Sequence, residues 1–141
     1  MSIHLDQINW WAVLVAAAAT FFLGALWYSA LFGKLWIRLQ GYTEDQVKQM
    51  QANMNPAIFF GGMLVSYLLV ALVIAILVTN FNLRSAVAGA MLGLLVWLGF
   101  AAAIHMTGHL ASNKPIGAFL IDTAFQLIFL IGMGTLIAAW R

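Results

Sequence analysis

The chain has 141 residues, of which 65% are hydrophobic and 7% charged, far below the roughly one quarter of charged residues usual in a soluble domain. That balance excludes water as its main solvent and leaves room for a single domain. Six Lys and Arg against four Asp and Glu give a pI near 9.3, too few bases for a nucleic-acid patch but enough for a basic face toward anionic lipid. With no cysteine, a disulfide framework and a thiolate metal site are both excluded.

Residues 1–7 include His4 and Asp6 but no Lys or Arg. This argues against the basic start of a cleaved signal peptide, so the first apolar run is expected to remain as a membrane helix. Runs of about twenty apolar residues, enough to cross roughly 30 Å of hydrocarbon, occur four times. They predict transmembrane helices over about residues 9–32, 56–79, 85–110 and 115–140. Asn55 caps the second of these and Pro56 occupies its first helical position; Ser85 caps the third. Asn80, Phe81 and Asn82 stop the second helix, and the turn Ser112, Asn113, Lys114, Pro115 delivers the fourth. The fold class expected is therefore all-α, an integral membrane bundle of four transmembrane helices.

The long connection, residues 33–54, has structure of its own. Leu35, Trp36 and Leu39 alternate with Lys34 and Arg38, the mixed character of a helix leaving the bilayer through its interface. Thr43 with Gln46 fits a capping box, Glu44 and Asp45 fill the first turn, and Val47, Met50 and Met54 recur at helical spacing. A short amphipathic helix on the membrane surface is expected, with a solvated surface helix as the alternative.

Loop charge sets the orientation. Lys34, Arg38, Lys48 and Lys114 fall on one side and Arg84 and Arg141 on the other, so the positive-inside rule puts the long connection in the cytoplasm and both termini outside. Trp10, Trp11 and Trp140 mark one aromatic belt, and Trp27, Tyr28 and Trp36 the other.

Polar side chains inside the apolar runs carry the functional reading, because an ionisable residue in hydrocarbon is costly. Asp122 lies in the fourth run. The fold-back at residues 112–115 puts it at equal depth with His105, while His109 shares a face with His105 and Gln126 with Asp122. Tyr28 and Ser29 are expected to reach the same region from the first helix, and Gly61 and Gly62 approach that depth on the second. Several chemistries fit. The set could bind or conduct a small cation or proton, or the His105–Asp122 pair could only pin helix register in a structural or accessory protein that binds lipid or a partner subunit. A metal held by His105, His109 and Asp122 and an intramembrane enzyme are weaker options, since Ser29 and Ser66 sit in no nucleophile motif. No cofactor is implied.

Small residues form two stripes, Ala12, Ala16, Thr20 and Gly24 on the first helix and Ser85, Gly89 and Gly93 on the third. Such faces allow close helix approach, either within the chain or to a second copy, and a homo-oligomer is expected from them. The scattered methionines are read as packing.

The run 24–36 contains Trp27, Tyr28, Ser29, Phe32, Gly33, Lys34 and Trp36. It resembles the GxLWYSxxxFGKxW signature of a bacterial membrane-protein family catalogued as domain of unknown function 1761. The fourth run, from Pro115 through Asp122 to Ala139 and Trp140, is similar to that family's closing segment. The resemblance implies four helices in a bacterial membrane and brings no activity with it. A sharp turn at Gly33, with Lys34 reaching toward headgroups, is the structural role expected for the signature.

Overall fold

The computed structural model describes residues 4–141. Met1, Ser2 and Ile3, part of the segment from which the lack of a signal peptide is argued, lie outside the described residues. A 3-10 turn at Leu5–Gln7 precedes α1, Trp10–Leu26, which Asn9 caps by accepting from Ala12 N. α1 runs on into a π-turn, Trp27–Leu31, in which Phe32 N reaches back five residues to Trp27 O. Two short helices follow, α2 over Gly33–Gln40 and α3 over Glu44–Asn53. Then come α4, Pro56–Asn80, and α5, Ala86–Val96, which passes through a second π-turn, Trp97–Ala102, into α6, Ala103–Ser112. The last helix, α7, is Ile116–Ala139.

Four continuous helical stretches are long and apolar enough to cross a membrane: Trp10–Leu31, Pro56–Asn80, Ala86–Ser112 and Ile116–Ala139. They match the expected spans to within a few residues, because the caps are local. Asn55 accepts from Ala57 N and Ile58 N, Ser85 accepts from Ala88 N, and Thr43 and Gln46 form the reciprocal capping box. Chain reversals fall at Gly41 (φ 78°), Asn82 (φ 52°) and Asn113 (φ 51°), the residue types that tolerate left-handed backbone. Large apolar side chains such as Phe22, Val87 and Phe100 point outward, which water would penalise and hydrocarbon accepts.

α7 is the centre of the bundle, with α5 on one side and α1 and α4 on the other. The closest approach is between α5 and α7: a Cβ on Gly89 would collide with Gly134 O, and one on Gly93 with Leu130 O. On the other side, Ala12, Ala16 and Thr20 are buried together with Ala71, Ile74, Ala75, Met133 and Ile137. A Cβ on Gly24 would press on the Phe125 ring at 3.2 Å. Both small-residue stripes are thus consumed inside the chain, except Ser85, which is an exposed cap. Of the two partners expected, the one these faces meet here is another helix of the same chain, since small residues let two helix backbones come so near.

The two ends of the bundle differ. At one, Asn9 Nδ2 donates to Trp140 O at 2.6 Å and Arg141 donates to Asn82 at 3.1 Å, so the two chain ends lie side by side. At the other, α2 lies against the start of α7, where a Cβ on Gly117 would meet Leu39 Cδ1 at 2.9 Å, and Lys114 donates to Gln40. α3 buries none of its residues.

Candidate functional site

A buried indole N–H must find an acceptor, because hydrocarbon offers none. Three of them find α7 at three successive residues. Trp27 Nε1 donates to Ile121 O at 3.2 Å, Trp36 Nε1 to Asp122 Oδ1 at 2.8 Å, and Trp97 Nε1 to Thr123 O at 2.9 Å. Tyr28 adds a fourth donor, its hydroxyl lying 2.6 Å from the same Asp122 Oδ1. The donors come from the π-turn after α1, from α2 and from the π-turn after α5. Insertion of one residue per turn redirects side chains, and π-turns are frequent at functional sites. Here one of them turns both Trp27 and Tyr28 toward α7.

Gly33 makes this possible in a way other than expected. Its φ is not in the left-handed region; a Cβ there would instead stand 2.5 Å from Tyr28 O. The residue is glycine because the chain leaves the π-turn directly against its own backbone, and that tight exit brings Trp36 back over Asp122.

The second π-turn opens the site. Up to Val96, α5 lies close against α7, but past residues 97–102 α6 diverges and touches it sparsely. Between them is a cleft of about 240 Å³ whose walls include His105, His109, Phe119 and Asp122, with Lys114 and Gln40 at its mouth. Asp122 is six residues past the start of α7, about 9 Å along the axis. Its Oδ1 is occupied by Tyr28 and Trp36, while Oδ2 faces His105 Nε2 at 3.9 Å, too far for a direct hydrogen bond. His105 Nδ1 lies 3.4 Å from Gln126 Nε2, and Gln126 Oε1 and Thr123 Oγ1 are buried with no partner among the described residues. Beyond Asp122, toward the middle of the bundle, Trp27, Ile121 and Phe125 pack together with Leu23, Tyr67 and Phe129 around them. The cleft therefore opens at one end and is closed by aromatic side chains at the other.

Of the residues singled out from the sequence, His105, Asp122, Gln126 and Tyr28 meet at this place. His109 lines the same cleft one turn nearer the mouth, against Phe119 at 5.4 Å between ring centroids. Among the described residues, no three His, Asp or Glu side chains come together as a metal shell would need. Ser29 does not take part. One residue after Tyr28 it faces outward, exposed, with its hydroxyl on Ala25 O, and Ser66 is likewise exposed with its hydroxyl on Gly62 O. Neither serine can be activated by His105. Gly61 and Gly62 are exposed too, with no other group near where a Cβ would stand.

The sequence singles out Trp27 and Trp36 as signature positions but not as donors to α7, and it does not single out Trp97. The position of Trp27 and Trp36 predicts an interfacial belt, but Trp27 is buried and both point at α7; Trp97 has no polar neighbour in sequence to single it out. The available signal was the acid itself, since a carboxylate in an apolar run demands donors and the chain has few besides its tryptophans and tyrosines. A larger concavity, about 400 Å³, lies beside α3 among Tyr42, Gln46, Gln49, Met50 and Asn53. It holds no charged side chain and is the weaker candidate.

No curated protein and no solved structure matches the chain. A family model described as Protein of unknown function (DUF1761) matches residues 11–138, nearly the whole length and including every residue of the cleft. The signature residues Trp27, Tyr28, Gly33 and Trp36 are the ones that build the donor set around Asp122, and with that match the chain belongs to the DUF1761 family.

Proposed function

We propose that this is a membrane-embedded binding protein that holds a proton or a small cationic group at Asp122, reached from one side only. The observation that carries this reading is the division of labour on the carboxylate. Two donors fix Oδ1, and Oδ2 is left facing the cleft without a hydrogen bond among the described residues, His105 standing 3.9 Å away. A group whose sole task was packing would have both oxygens satisfied by the protein. The aromatic layer of Trp27 and Phe125 behind the acid favours one-sided binding over conduction. By loop charge, the cleft opens to the cytoplasmic face of a bacterial membrane and both termini lie outside.

Titration of the reconstituted protein with ammonium and with alkali cations, following tryptophan emission, tests the reading. A saturable response that disappears in Asp122→Asn and in Trp36→Phe is expected, with no net flux across proteoliposomes. An equal response in Asp122→Asn would overturn cation binding at this acid, and cation-coupled flux would overturn the one-sided site. Reporter fusions after Arg141 and within residues 43–49 should report opposite sides, the former outside.

A second reading has its own support. Tyr28 and Trp36 tie the first helix and α2 to α7 through one oxygen, as a register pin would. On that reading the ammonium response is absent and only stability changes on mutation.

A further inference from the structure

The cleft carries two opposite charges at different depths, Asp122 at its inner end and Lys114 at its mouth. Lys114 is held there from two sides, by the Gln40 side-chain oxygen and by the face of Tyr42, whose ring centroid is 5.8 Å from Nζ. One of its three donors is used by Gln40, leaving others free toward the cleft. His109 stands between the two charges, and Phe119 supplies an apolar wall with its ring against both imidazoles. A lone cation entering this space meets an ammonium at the entrance, and a lone anion meets a carboxylate inside. A ligand with both charges, the positive end inward, is favoured at both depths and gains over a lone cation at the entrance.

From this arrangement we infer that the cleft binds an amino-phosphate zwitterion, the chemistry of a phosphoethanolamine group, with its ammonium on Asp122 Oδ2 and its phosphate between Lys114 and His109. The proposal rests on Asp122 as a cation-binding acid and adds the anionic half. A primary ammonium suits Oδ2 because it brings N–H donors to an oxygen that has no hydrogen bond of its own among the described residues. Phosphate suits the mouth because Lys114 and an imidazole offer several donors at the point where the turn 113–115 leaves the bundle, the depth of lipid headgroups. The same group could arrive on a lipid or as a free solute.

The experiment measures binding to the protein in nanodiscs by native mass spectrometry and by tryptophan emission. The probes are phosphatidylethanolamine, phosphatidylcholine and phosphatidylglycerol as lipids, and free phosphoethanolamine, ethanolamine, glycine and inorganic phosphate as solutes. Preferential retention of phosphatidylethanolamine, weakened tenfold or more both in Asp122→Asn and in Lys114→Gln, supports the zwitterion with a lipid source. Saturable binding of free phosphoethanolamine with the same two sensitivities, and no lipid preference, supports it with a soluble source. Ethanolamine binding that is lost in Asp122→Asn but indifferent to Lys114→Gln, with no gain from the phosphate, overturns the zwitterion and leaves the cation site standing. Glycine binding as well as phosphoethanolamine overturns the phosphate assignment. If no amine binds, the zwitterion falls, and the cation site is decided separately by the alkali-cation titration. Lys114→Gln lies at the mouth, outside the packed core, so it reports on binding even if Asp122→Asn alters folding.

Discussion

The hairpin formed by α5, α6 and α7 contains two halves made in opposite ways. In the half nearer the chain ends, Gly89, Gly93 and Gly134 let two helix backbones touch. In the other half, beyond the π-turn 97–102, the helices part and the gap is lined by His105, His109 and Asp122. The same pair of helices is a seam at one end and a cleft at the other. What separates them is one wide turn, whose Trp97 ties the diverging helix to Thr123 O at 2.9 Å. Close packing supplies the stability that lets the open half keep unsatisfied polar atoms, since dispersion contacts and small-residue approach are what hold helices together where no water drives them.

The largest effect should come from the seam. Gly93→Leu puts a branched side chain where Leu130 O already stands, and overpacking against backbone costs about 3 kcal/mol or more. Unfolding in a denaturing-detergent titration should move strongly. A stability unchanged from that of the unmodified chain would show that the seam is not the stabilising half.

The cleft should respond to chemistry rather than to size. Asp122→Asn keeps an oxygen that can accept from Tyr28 and Trp36, so its cost in stability should stay near 1 kcal/mol or below, whereas Asp122→Leu leaves two buried donors unpaired at about 1–3 kcal/mol each. If His105 and Asp122 stood alone as a pair, replacing both by leucine would be nearly neutral. With Tyr28 and Trp36 also bonded to the acid, the double leucine variant should be as unstable as Asp122→Leu alone, and restoration of stability by the second leucine would count against the donor set.

The smallest effect is also the sharpest control. Gly134 and Gly132 are two residues apart on α7, yet a Cβ on Gly134 would collide with Gly89 O while one on Gly132 would meet open space. Gly134→Ala should destabilise, and Gly132→Ala should be neutral or stabilise by about 0.5–1 kcal/mol through reduced backbone entropy. Equal shifts in melting temperature for the two would mean that the close approach at Gly134 has no energetic weight.

Four helices long and apolar enough to span a bilayer, their caps at Asn55, Ser85 and Thr43, the shared side of the two chain ends, and the approach of His105 to Asp122 are all legible in the chain. Each of these depends on neighbours in the chain or on antiparallel return through a short turn, so composition and spacing carry the information. Which helix fills each small-residue face emerges only from the packing of the whole bundle, because a stripe of small residues states how near a backbone can come and not whose it is. So does the fact that Tyr28 turns inward while Ser29 turns out, and that Trp27, Trp36 and Trp97 meet α7 at residues 121–123. Those outcomes depend on two π-turns and on the close exit at Gly33, and a one-residue change in helical winding redirects every side chain that follows without leaving a mark in the hydrophobic pattern.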